Sequence, residues 1–551
     1  MKGNQGLLKK IITVILFALL LIPFNMIVGA ENKQEKDIHW DQLQDDLEEP
    51  GVLKVGMEAN YSPFNWSQPT HDNGALAITN SKGEFANGYD VHIAKKLAQK
   101  LGLKLEIVKL EWDGLPPALN SGKVDAIIAG MSVTPDRKKE IDFSNNYYES
   151  QMVLVVRQES DYAQAQSLAD LSGAKVTAQL NTFHYSLIDQ IPDVQKKTAL
   201  DSFPTMISSV LSGKIDAYVS EEPGAMAAVA ANSDLTYLKF TEGKGFDLSQ
   251  VDTGIAIGLR KGSSLVQPIN QVLADIHEEE RNSLMKEMVK LNQGQENLSF
   301  WQDVQGLWTT YGGQFIRGAL NTLFIALFAT IVGSIIGLAI AVVRSMKNLF
   351  HKGRPSYYLF KLVDFLLVAY IEIFRGTPMM VQAMLIFYGL KLFFNIDLSS
   401  MTAALFIVSI NTGAYLSEVM RGGIHGVDKG QYEGAKAIGM SHGQTMRHVV
   451  LPQAVLSILP TLGNEFVINI KDTSVLNVIA VTELFFVSKS VAGSTYQTFQ
   501  TFLITSMIYF VLTFTTTRIL NLIEKKMSGS DSYTVKQSSS TDSVKGVKTH
   551  D

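Results

Sequence analysis

The feature that most constrains this chain is an uninterrupted apolar run in its second half. Residues 318–343 contain no charged side chain, and these 26 residues exceed the ~20 that an α-helix needs to cross a bilayer. Arg344, Lys347, Lys352 and Arg354 follow directly. Because basic residues collect on the cytoplasmic side of membrane helices, the run predicts a spanning helix that ends in the cytoplasm.

Further apolar segments extend this prediction to a membrane domain. They occupy about 357–392, 398–417, 449–482 and 490–517. Charges interrupt them, and we expect these charges to face the protein interior or an aqueous path, because hydrocarbon disfavours them. We predict an all-α transmembrane domain of about five helices over residues 313–526. The Ser/Thr-rich tail, 527–551, is expected to be disordered.

The first half of the chain has a different pattern. Over residues 51–292, short apolar strands such as 52–56 alternate with amphipathic stretches such as 89–101, as in α/β domains. The phrase Ser-Gly-Lys-Val/Ile-Asp-Ala occurs at 121–126 and again at 212–217, each time as a helix end, a glycine cap and a strand start. The repeat predicts two similar α/β lobes.

The segments that flank this domain predict its location. Residues 1–30 have lysines at the start, an uncharged run and the small residues Val28-Gly29-Ala30, which predict a signal peptide cleaved after Ala30, with a permanent anchor as the alternative. Residues 31–50 form a charged N-terminal segment. Residues 293–312 are polar with two tryptophans and predict a linker that reaches the membrane interface. The α/β domain is therefore expected outside the cytoplasm.

Composition excludes several classes of function. The chain has no cysteine, which rules out disulfides, thiolate metal sites and lipid attachment to a cysteine. Its net charge of −5, from 48 basic and 53 acidic residues, does not predict a surface for nucleic acid. The ten histidines show no metal-ligand spacing. Without a Gly-x4-Gly-Lys-Ser/Thr loop, the chain is not expected to hold ATP or another cofactor itself.

A segment between the third and fourth predicted helices carries a recognisable motif. Residues 431–452 contain Glu433, Gly434, Ala435 and Gly439, and end in Val-Val-Leu-Pro. This segment resembles the permease signature of ABC importers, in which an acidic and two small residues precede a glycine and an apolar-x-Leu-Pro ending. The family more often has alanine at the position of Gly434.

The resemblance covers roughly residues 311–525. The phrases at 372–378, Glu-Ile-Phe-Arg-Gly-Thr-Pro, and at 413–423 are similar to the polar amino acid branch of these permeases. In that family the 431–452 segment forms a short cytoplasmic helix that docks on a separate ATPase subunit. The alternative for the segment is an ordinary amphipathic loop.

The resemblance also implies partners. A translocation path of this type needs two permease halves, so we expect a homodimer with two ATPase chains, which bind ATP and Mg²⁺. The chain itself is then a transporter subunit without enzymatic activity. It is expected to be a multi-pass protein surrounded by lipid in a bacterial cell membrane.

Motifs in the α/β domain carry a second resemblance. Residues 88–98, Gly-Tyr-Asp-Val-His-Ile-Ala-Lys-Lys-Leu-Ala, are similar to the signature of family 3 solute-binding proteins, with a histidine where an acid is usual. The phrases at 55–64 and 129–139 follow the same family in order and spacing. The resemblance implies a two-lobed clamshell joined by hinge strands near 145–156 and 245–255, which closes on a polar amino acid.

The family pattern implies where the ligand's carboxylate binds. Arg137 can offer a bidentate guanidinium, which matches a carboxylate in shape and charge. The hydroxyl of Ser132 and backbone groups near Gly130 and Thr182 are expected to assist. Next to Thr182, Asn181 stands where the family often has glycine.

The same pattern implies the other contacts of the ligand. Glu221 falls where the family places the acid for the α-ammonium group, with the adjacent Glu222 as the competing choice. Tyr61 and Trp112 are expected to form two aromatic walls around the ligand's side chain. Glu58 is the expected acid at the deep end of the pocket, and Gln179 is the expected contact from the facing lobe.

Charge favours a ligand class. Glu58 and Glu221 oppose the single guanidinium of Arg137, so a basic amino acid (arginine, lysine or histidine) would leave the fewest charges unpaired. Aromatic faces attract cations as well. Glutamine or asparagine is the alternative, because an amide can donate to Glu58. A ligand-gated channel or sensor is the alternative of a different class, since it can carry the same clamshell.

Overall fold

The computed structural model describes residues 46–249, 252–291, 299–346 and 352–527. The predicted signal peptide, most of the charged segment and the tail beyond Met527 lie outside these ranges. Two sheets of five strands and one sheet of four strands occupy the first half of the chain, and helices occupy the second half.

Fourteen strands lie within the described ranges. They are β1 (Val52–Met57), β2 (Asn60–Tyr61), β3 (Asn65–Gln68), β4 (Leu76–Ala77), β5 (Phe85–Asn87), β6 (Lys104–Lys109), β7 (Ala126–Ile127), β8 (Asp142–Glu149), β9 (Met152–Arg157), β10 (Lys175–Thr177), β11 (Gln195–Lys196), β12 (Ala217–Glu221), β13 (Leu235–Leu238) and β14 (Gly254–Leu259).

The strands form two separate five-stranded sheets, one in each lobe. The sheet of the first lobe has the order β6-β1-β7-β14-β8, with β1 parallel to β6 and β7. The sheet of the second lobe has the order β11-β10-β12-β9-β13, with β10 parallel to β11 and β12. A smaller sheet, β2-β3-β5-β4, extends the first lobe. The two-lobed α/β fold expected from the repeated phrase is confirmed.

Helices cover the sheets because the strands are apolar on both faces. The helices of this domain are Tyr89–Leu101, Leu115–Asn120, Pro135–Glu140, His184–Leu187, Phe203–Leu211, Glu222–Ala231, Val266–Ala274 and Glu278–Leu291. In β1, Leu53, Val55 and Met57 are fully buried, as is typical of parallel strands packed between helical layers. Gly102 ends the helix Tyr89–Leu101 in the left-handed conformation, φ +65°.

The chain crosses between the lobes at the two places expected from the sequence. The first crossing joins β8 of the first lobe to β9 of the second lobe. The second crossing returns from β13 of the second lobe to β14 of the first lobe. Gly254, at the start of β14, pairs with Glu149 at the end of β8, so the two crossings lie side by side.

The second half of the chain is helical. Its helices are Phe300–Ser345, Pro355–Gly376, Met379–Phe394, Ser400–Gly426, Lys429–Ala437, His442–Thr445, Leu451–Asp472, Leu484–Thr495 and Thr498–Met527. Within the described ranges, four helical stretches are long and apolar enough to cross a membrane; they are Phe300–Ser345, Ser400–Gly426, His442–Ile479 and Thr498–Lys526. Met379–Phe394 is a shorter apolar helix. These helices match the predicted all-α membrane domain in fold class.

Two boundaries differ from the sequence expectation. The segment expected to be a linker, 293–312, is helical from Phe300, where Ser299 and Gln302 form a capping box, so the first membrane helix is 46 residues long. The apolar segment 357–392 is divided into two helices at Thr377. Pro378 explains this break, because the residue before a proline is disfavoured in the α conformation.

Candidate functional site

The predicted binding residues gather in the cleft between the lobes. Glu58 and Tyr61 follow the end of β1, and Glu221 is the last residue of β12. Open α/β sheets place their ligand sites beyond the carboxyl ends of parallel strands, and β1 and β12 end in this way on opposite sides of the cleft. The topology therefore brings residues of both lobes to one site.

Arg137 reaches across the cleft. It lies on the short helix Pro135–Glu140, whose N-cap Thr134 accepts a hydrogen bond from the Arg137 backbone N–H. Its guanidinium donates from Nη1 to the Ser132 carbonyl at 2.8 Å and from Nη2 to the Asn181 carbonyl of the second lobe at 2.7 Å. The guanidinium also lies 5.0 Å from the Trp112 ring centroid.

The guanidinium keeps its charge and has spare donors. Burial lowers the pKa of Arg137 to about 10, and the negative charge of Glu221 opposes this shift. Arg137 therefore stays positively charged at neutral pH. Because a guanidinium has five N–H donors and two are used here, three remain for a ligand carboxylate.

Glu221 is the buried acid of the second lobe. Its side chain is 3% exposed; Oε2 accepts a 2.5 Å hydrogen bond from the Tyr61 hydroxyl, and Oε1 lies 3.1 Å from His184 Nε2. Burial alone would raise the pKa of Glu221, but His184 and the Tyr61 hydrogen bond lower it below its ordinary value. Glu221 is thus an anion, whereas the adjacent Glu222 is paired with Lys239 at 2.8 Å.

The aromatic residues of the cleft contact one another across the lobes. The Tyr61 ring stacks on Phe203 of the second lobe, with centroids 4.4 Å apart and an angle of 7° between the planes. Trp112, also of the first lobe, lies beside Arg137. Phe203 and His184 were not predicted from the sequence, because neither belongs to a motif that carries the family resemblance.

Glu58 is a buried acid of the first lobe. It is 4% exposed, and burial together with the neighbouring Glu111 raises the pKa of Glu58 to about 8. Asp113 and Asp201 raise it further, whereas Lys489 of the membrane domain lowers it. Glu58 is therefore largely protonated at neutral pH, and a cation beside it would favour its ionised form.

Two further predicted residues, Gly130 and Ser132, lie next to Tyr61 and Arg137. Gly130 has φ +62°, and a Cβ atom there would lie 3.1 Å from the Tyr61 ring, so only glycine fits without strain. The Gly130 N–H donates to the Tyr147 hydroxyl, which in turn donates to Asp90 of the family signature. Ser132 is 5% exposed and offers its carbonyl to Arg137.

On the second lobe, Gln179 and Thr182 flank the turn that receives Arg137. The Thr182 hydroxyl donates to the Gln179 carbonyl at 2.7 Å, and Gln179 is 4% exposed. Between them, Asn181 has φ +58°, a left-handed conformation that asparagine tolerates better than other non-glycine residues. This conformation explains how asparagine can stand where the family often has glycine.

A cavity of about 770 Å³ opens beside these residues. Its lining includes Trp112, Arg137, Asn181 and Thr182, and thus residues of both lobes, but not Glu58, Tyr61 or Glu221. This volume is within the range of small-molecule sites. Within the described part of the chain, no group of three or more His, Asp or Glu side chains is arranged to hold a metal ion.

The segment predicted to couple to an ATPase lies far from this cleft in the sequence and is mostly exposed. Helix Lys429–Ala437 carries Glu433 and Gly434 on its surface, whereas Ala435 is buried at 5% exposure. Gly439 follows with φ +81°, and no atom lies within 4 Å of the position a Cβ would take. The adjacent Ile438 is 79% exposed.

Comparisons with known proteins identify both halves of the chain. Residues 53–289 match the bacterial extracellular solute-binding proteins, family 3, and residues 333–529 match the binding-protein-dependent transport system inner membrane component. The chain belongs to this family of transport system inner membrane components and carries a family 3 solute-binding domain before its permease domain. It is thus the receptor and permease subunit of an ABC importer of the polar amino acid type.

Relatives of the permease half include two proteins with different names. The putative glutamine transport system permease protein GlnP of Rickettsia typhi is 33% identical over 38% of this chain and 92% of its own length. The arginine transport system permease protein ArtQ of Bacillus subtilis is 32% identical over 38% of this chain and 93% of its own length.

Solved structures similar to the binding half include an amino acid ABC transporter substrate-binding protein from Streptococcus pneumoniae bound to L-arginine. It is 28% identical, with a TM-score of 0.38, over 44% of this chain and 94% of that chain. An ancestral arginine-binding protein bound to glutamine is 31% identical, with a TM-score of 0.35, over 43% of this chain and 97% of that chain.

Proposed function

We propose that this chain captures a free basic amino acid outside the cell membrane and passes it through its own permease domain. Arginine, lysine and histidine are the proposed ligands. The observation that carries the proposal is the acidic end of the cleft, where the charges of Glu111, Asp113 and Asp201 act on Glu58.

The two ends of the cleft suit the two ends of a basic amino acid. Arg137, with its spare donors, can bind the α-carboxylate in bidentate fashion. Glu221 is the anion suited to the α-ammonium group, and its neighbours Tyr61 and His184 hold its carboxylate in place. A ligand whose backbone sits between Arg137 and Glu221 can extend its side chain towards Glu58.

A cationic side chain fits this acidic end for an electrostatic reason. Glu111, Asp113 and Asp201 raise the pKa of the Glu58 carboxyl by repulsion, after burial itself, and Lys489 offsets only part of this shift. A guanidinium or ammonium group placed there would relieve this repulsion, and the Trp112 ring could pack against its aliphatic stem. A second carboxylate, as in glutamate or aspartate, would increase the repulsion.

Glutamine or asparagine is the second candidate ligand. Protonated Glu58 can donate a hydrogen bond to a side-chain amide carbonyl, so a neutral ligand also finds a partner. The relatives of the permease half are named for glutamine and for arginine, which supports both ligand classes.

The proposed assembly follows from the permease family. Two copies of the chain form the translocation path, and two cytoplasmic ATPase chains dock on the exposed surface of Glu433, Gly434 and Gly439. ATP hydrolysis then belongs to those partner chains. The binding domain faces outward, residues 1–30 act as the export signal, and residues 527–551 form a cytoplasmic tail.

Competition binding tests the ligand class. The full chain, purified in lipid nanodiscs, is incubated with labelled arginine and challenged with unlabelled amino acids. We expect lysine and histidine to displace the label and glutamate to fail. Displacement by glutamine at micromolar levels, with lysine and histidine inert, would overturn the basic-ligand proposal. ATP-dependent uptake into vesicles with the partner ATPase tests the transport function itself.

A further inference from the structure

A lysine of the permease domain contacts carboxylates at the acidic end of the binding cleft. Lys489 lies on the helix Leu484–Thr495, which we call the docking helix. Its Nζ is 2.6 Å from Glu111 Oε2, in the first lobe, and 3.5 Å from Asp201 Oδ2, in the second lobe. The side chains of Lys489 and Glu111 are 14% and 15% exposed, so their ion pair is largely shielded from solvent, whereas Asp201 is 57% exposed.

The docking helix is packed tightly enough to hold Lys489 in place. A Cβ added to Gly493 would lie 2.4 Å from the Cβ of Asn60, so the helix backbone touches the first lobe directly. Ser490 Oγ lies 2.6 Å from Ser67 Oγ. Just beyond the helix, the Tyr496 hydroxyl donates to the Ser62 carbonyl at 2.7 Å.

The lobes that Lys489 joins are closed on each other. Arg137 and Tyr61 of the first lobe bond to Asn181 and Glu221 of the second lobe. Asn181 Nδ2 also donates to Asp113 Oδ1 of the first lobe at 2.9 Å. Closure thus brings acids of both lobes to one place, and a cation between them compensates their repulsion.

We propose that Lys489 makes docking depend on closure: its ammonium bridges Glu111 and Asp201, two carboxylates that only the closed cleft brings together. An open receptor would offer Lys489 a single carboxylate and a weaker contact. By linkage, the docked permease domain favours the closed cleft to the same extent that closure favours docking. Lys489 is thus a positioning residue that couples the receptor's conformation to the permease.

This role differs from that of the other permease lysine at the domain boundary. Lys391 forms an ion pair with Glu48, which precedes the first strand of the first lobe. Its contact therefore involves one side of the cleft only. Lys391 is a matched control, since its removal weakens docking without touching the second lobe.

The test measures lobe separation in the full chain. Because the chain has no cysteine, single cysteines introduced at the exposed positions Gln99 and Glu242, one in each lobe, can carry spin labels in nanodiscs. Lys489→Met keeps the aliphatic stem and removes the charge. Without added amino acid, this variant is expected to lower the closed-to-open ratio at least about threefold, because the ion pairs to both lobes are lost. Lys489→Arg should retain the ratio, and Lys391→Met should lower it much less than Lys489→Met does.

Removing the carboxylate of Asp201, the partner of Lys489 in the second lobe, completes the test. Asp201→Asn should lower the closed-to-open ratio as Lys489→Met does, and combining the two changes should add little. An unchanged ratio in Lys489→Met, or an equal loss in Lys391→Met, would overturn the proposal. The proposal rests on the receptor function proposed above. The separation of the lobes, however, is measured without a ligand. Failure of arginine binding would therefore contradict the proposed ligand, whereas an unchanged ratio contradicts the role of Lys489.

Discussion

The hydroxyl of Tyr61 donates a 2.5 Å hydrogen bond to the carboxylate of Glu221, 160 residues further along the chain and on the opposite lobe. The same Tyr61 ring stacks on Phe203, so one side chain joins the lobes by a polar and an aromatic contact. Burial, followed by the charge of Glu221, raises the pKa of the Tyr61 hydroxyl well above its ordinary value, which keeps it a donor.

Replacing Tyr61 with phenylalanine separates these two contacts. The variant keeps the stack on Phe203 and leaves one oxygen of a buried carboxylate without its donor, so we expect amino acid affinity to fall roughly tenfold. Glu221→Gln should weaken binding at least as much. Glu222→Gln is the control, because Lys239 pairs with Glu222 outside the cleft. A larger loss in Glu222→Gln than in Glu221→Gln, measured by calorimetry, would reverse their assignment.

Arg137→Ala is expected to abolish amino acid binding. It removes the bidentate partner of the ligand's carboxylate and also the hydrogen bond to Asn181 of the second lobe, so we expect a loss of about a hundredfold or more. Calorimetry on the full chain in nanodiscs measures it. Lys138→Ala, an exposed neighbour, should bind normally. Affinity within tenfold of the unmodified chain would remove Arg137 from the site.

Proton release distinguishes the two ligand classes. With a pKa of about 8, Glu58 is largely protonated at pH 7, and a cationic ligand must favour its ionised form. Arginine binding should therefore release up to about one proton, and arginine affinity should rise with pH up to about 8, by as much as roughly tenfold per pH unit. Glutamine, which is neutral, should show little of either effect.

Calorimetry in two buffers of different ionisation enthalpy measures this proton release. In Glu58→Gln the release should disappear, because the amide does not titrate in this range. Arginine binding with the same heat in both buffers at pH 7 would mean that no proton leaves, and that Glu58 does not face the ligand's cationic group.

Gly439 tests coupling to the ATPase chains. Its φ of +81° is strained for any other residue, so Gly439→Val should distort the exposed turn that follows the helix Lys429–Ala437. We expect amino acid binding to be unchanged and ligand-stimulated ATP hydrolysis and uptake to fall at least about tenfold. Gly426→Ala is the control, since Gly426 ends the helix Ser400–Gly426, outside the segment 431–452, with open space at its Cβ. Normal uptake in Gly439→Val would contradict the docking role.

The local sequence pattern was sufficient to predict the fold class of both halves of this protein. The uncharged run 318–343 predicts a membrane helix wherever it is placed, because hydrocarbon leaves a polypeptide few alternatives. The repeated phrase at 121–126 and 212–217 marks equivalent turns in two lobes, since a glycine cap and a strand start are local features. Pro378, by contrast, divides an apolar segment that the pattern treats as continuous, and the full 46-residue length of the first membrane helix was not predicted.

The candidate site depended on both the sequence motifs and the tertiary structure. Motif spacing placed Arg137 and Glu58 on one lobe but left Glu221 and Glu222 open as alternatives. Tertiary structure separates these two acids: Glu221 ends β12 inside the cleft, whereas Glu222 begins the next helix beside Lys239. The contact between Lys489 and Glu111 joins residues 378 positions apart. No local pattern encodes such a contact, because it arises only when the binding and permease domains pack together.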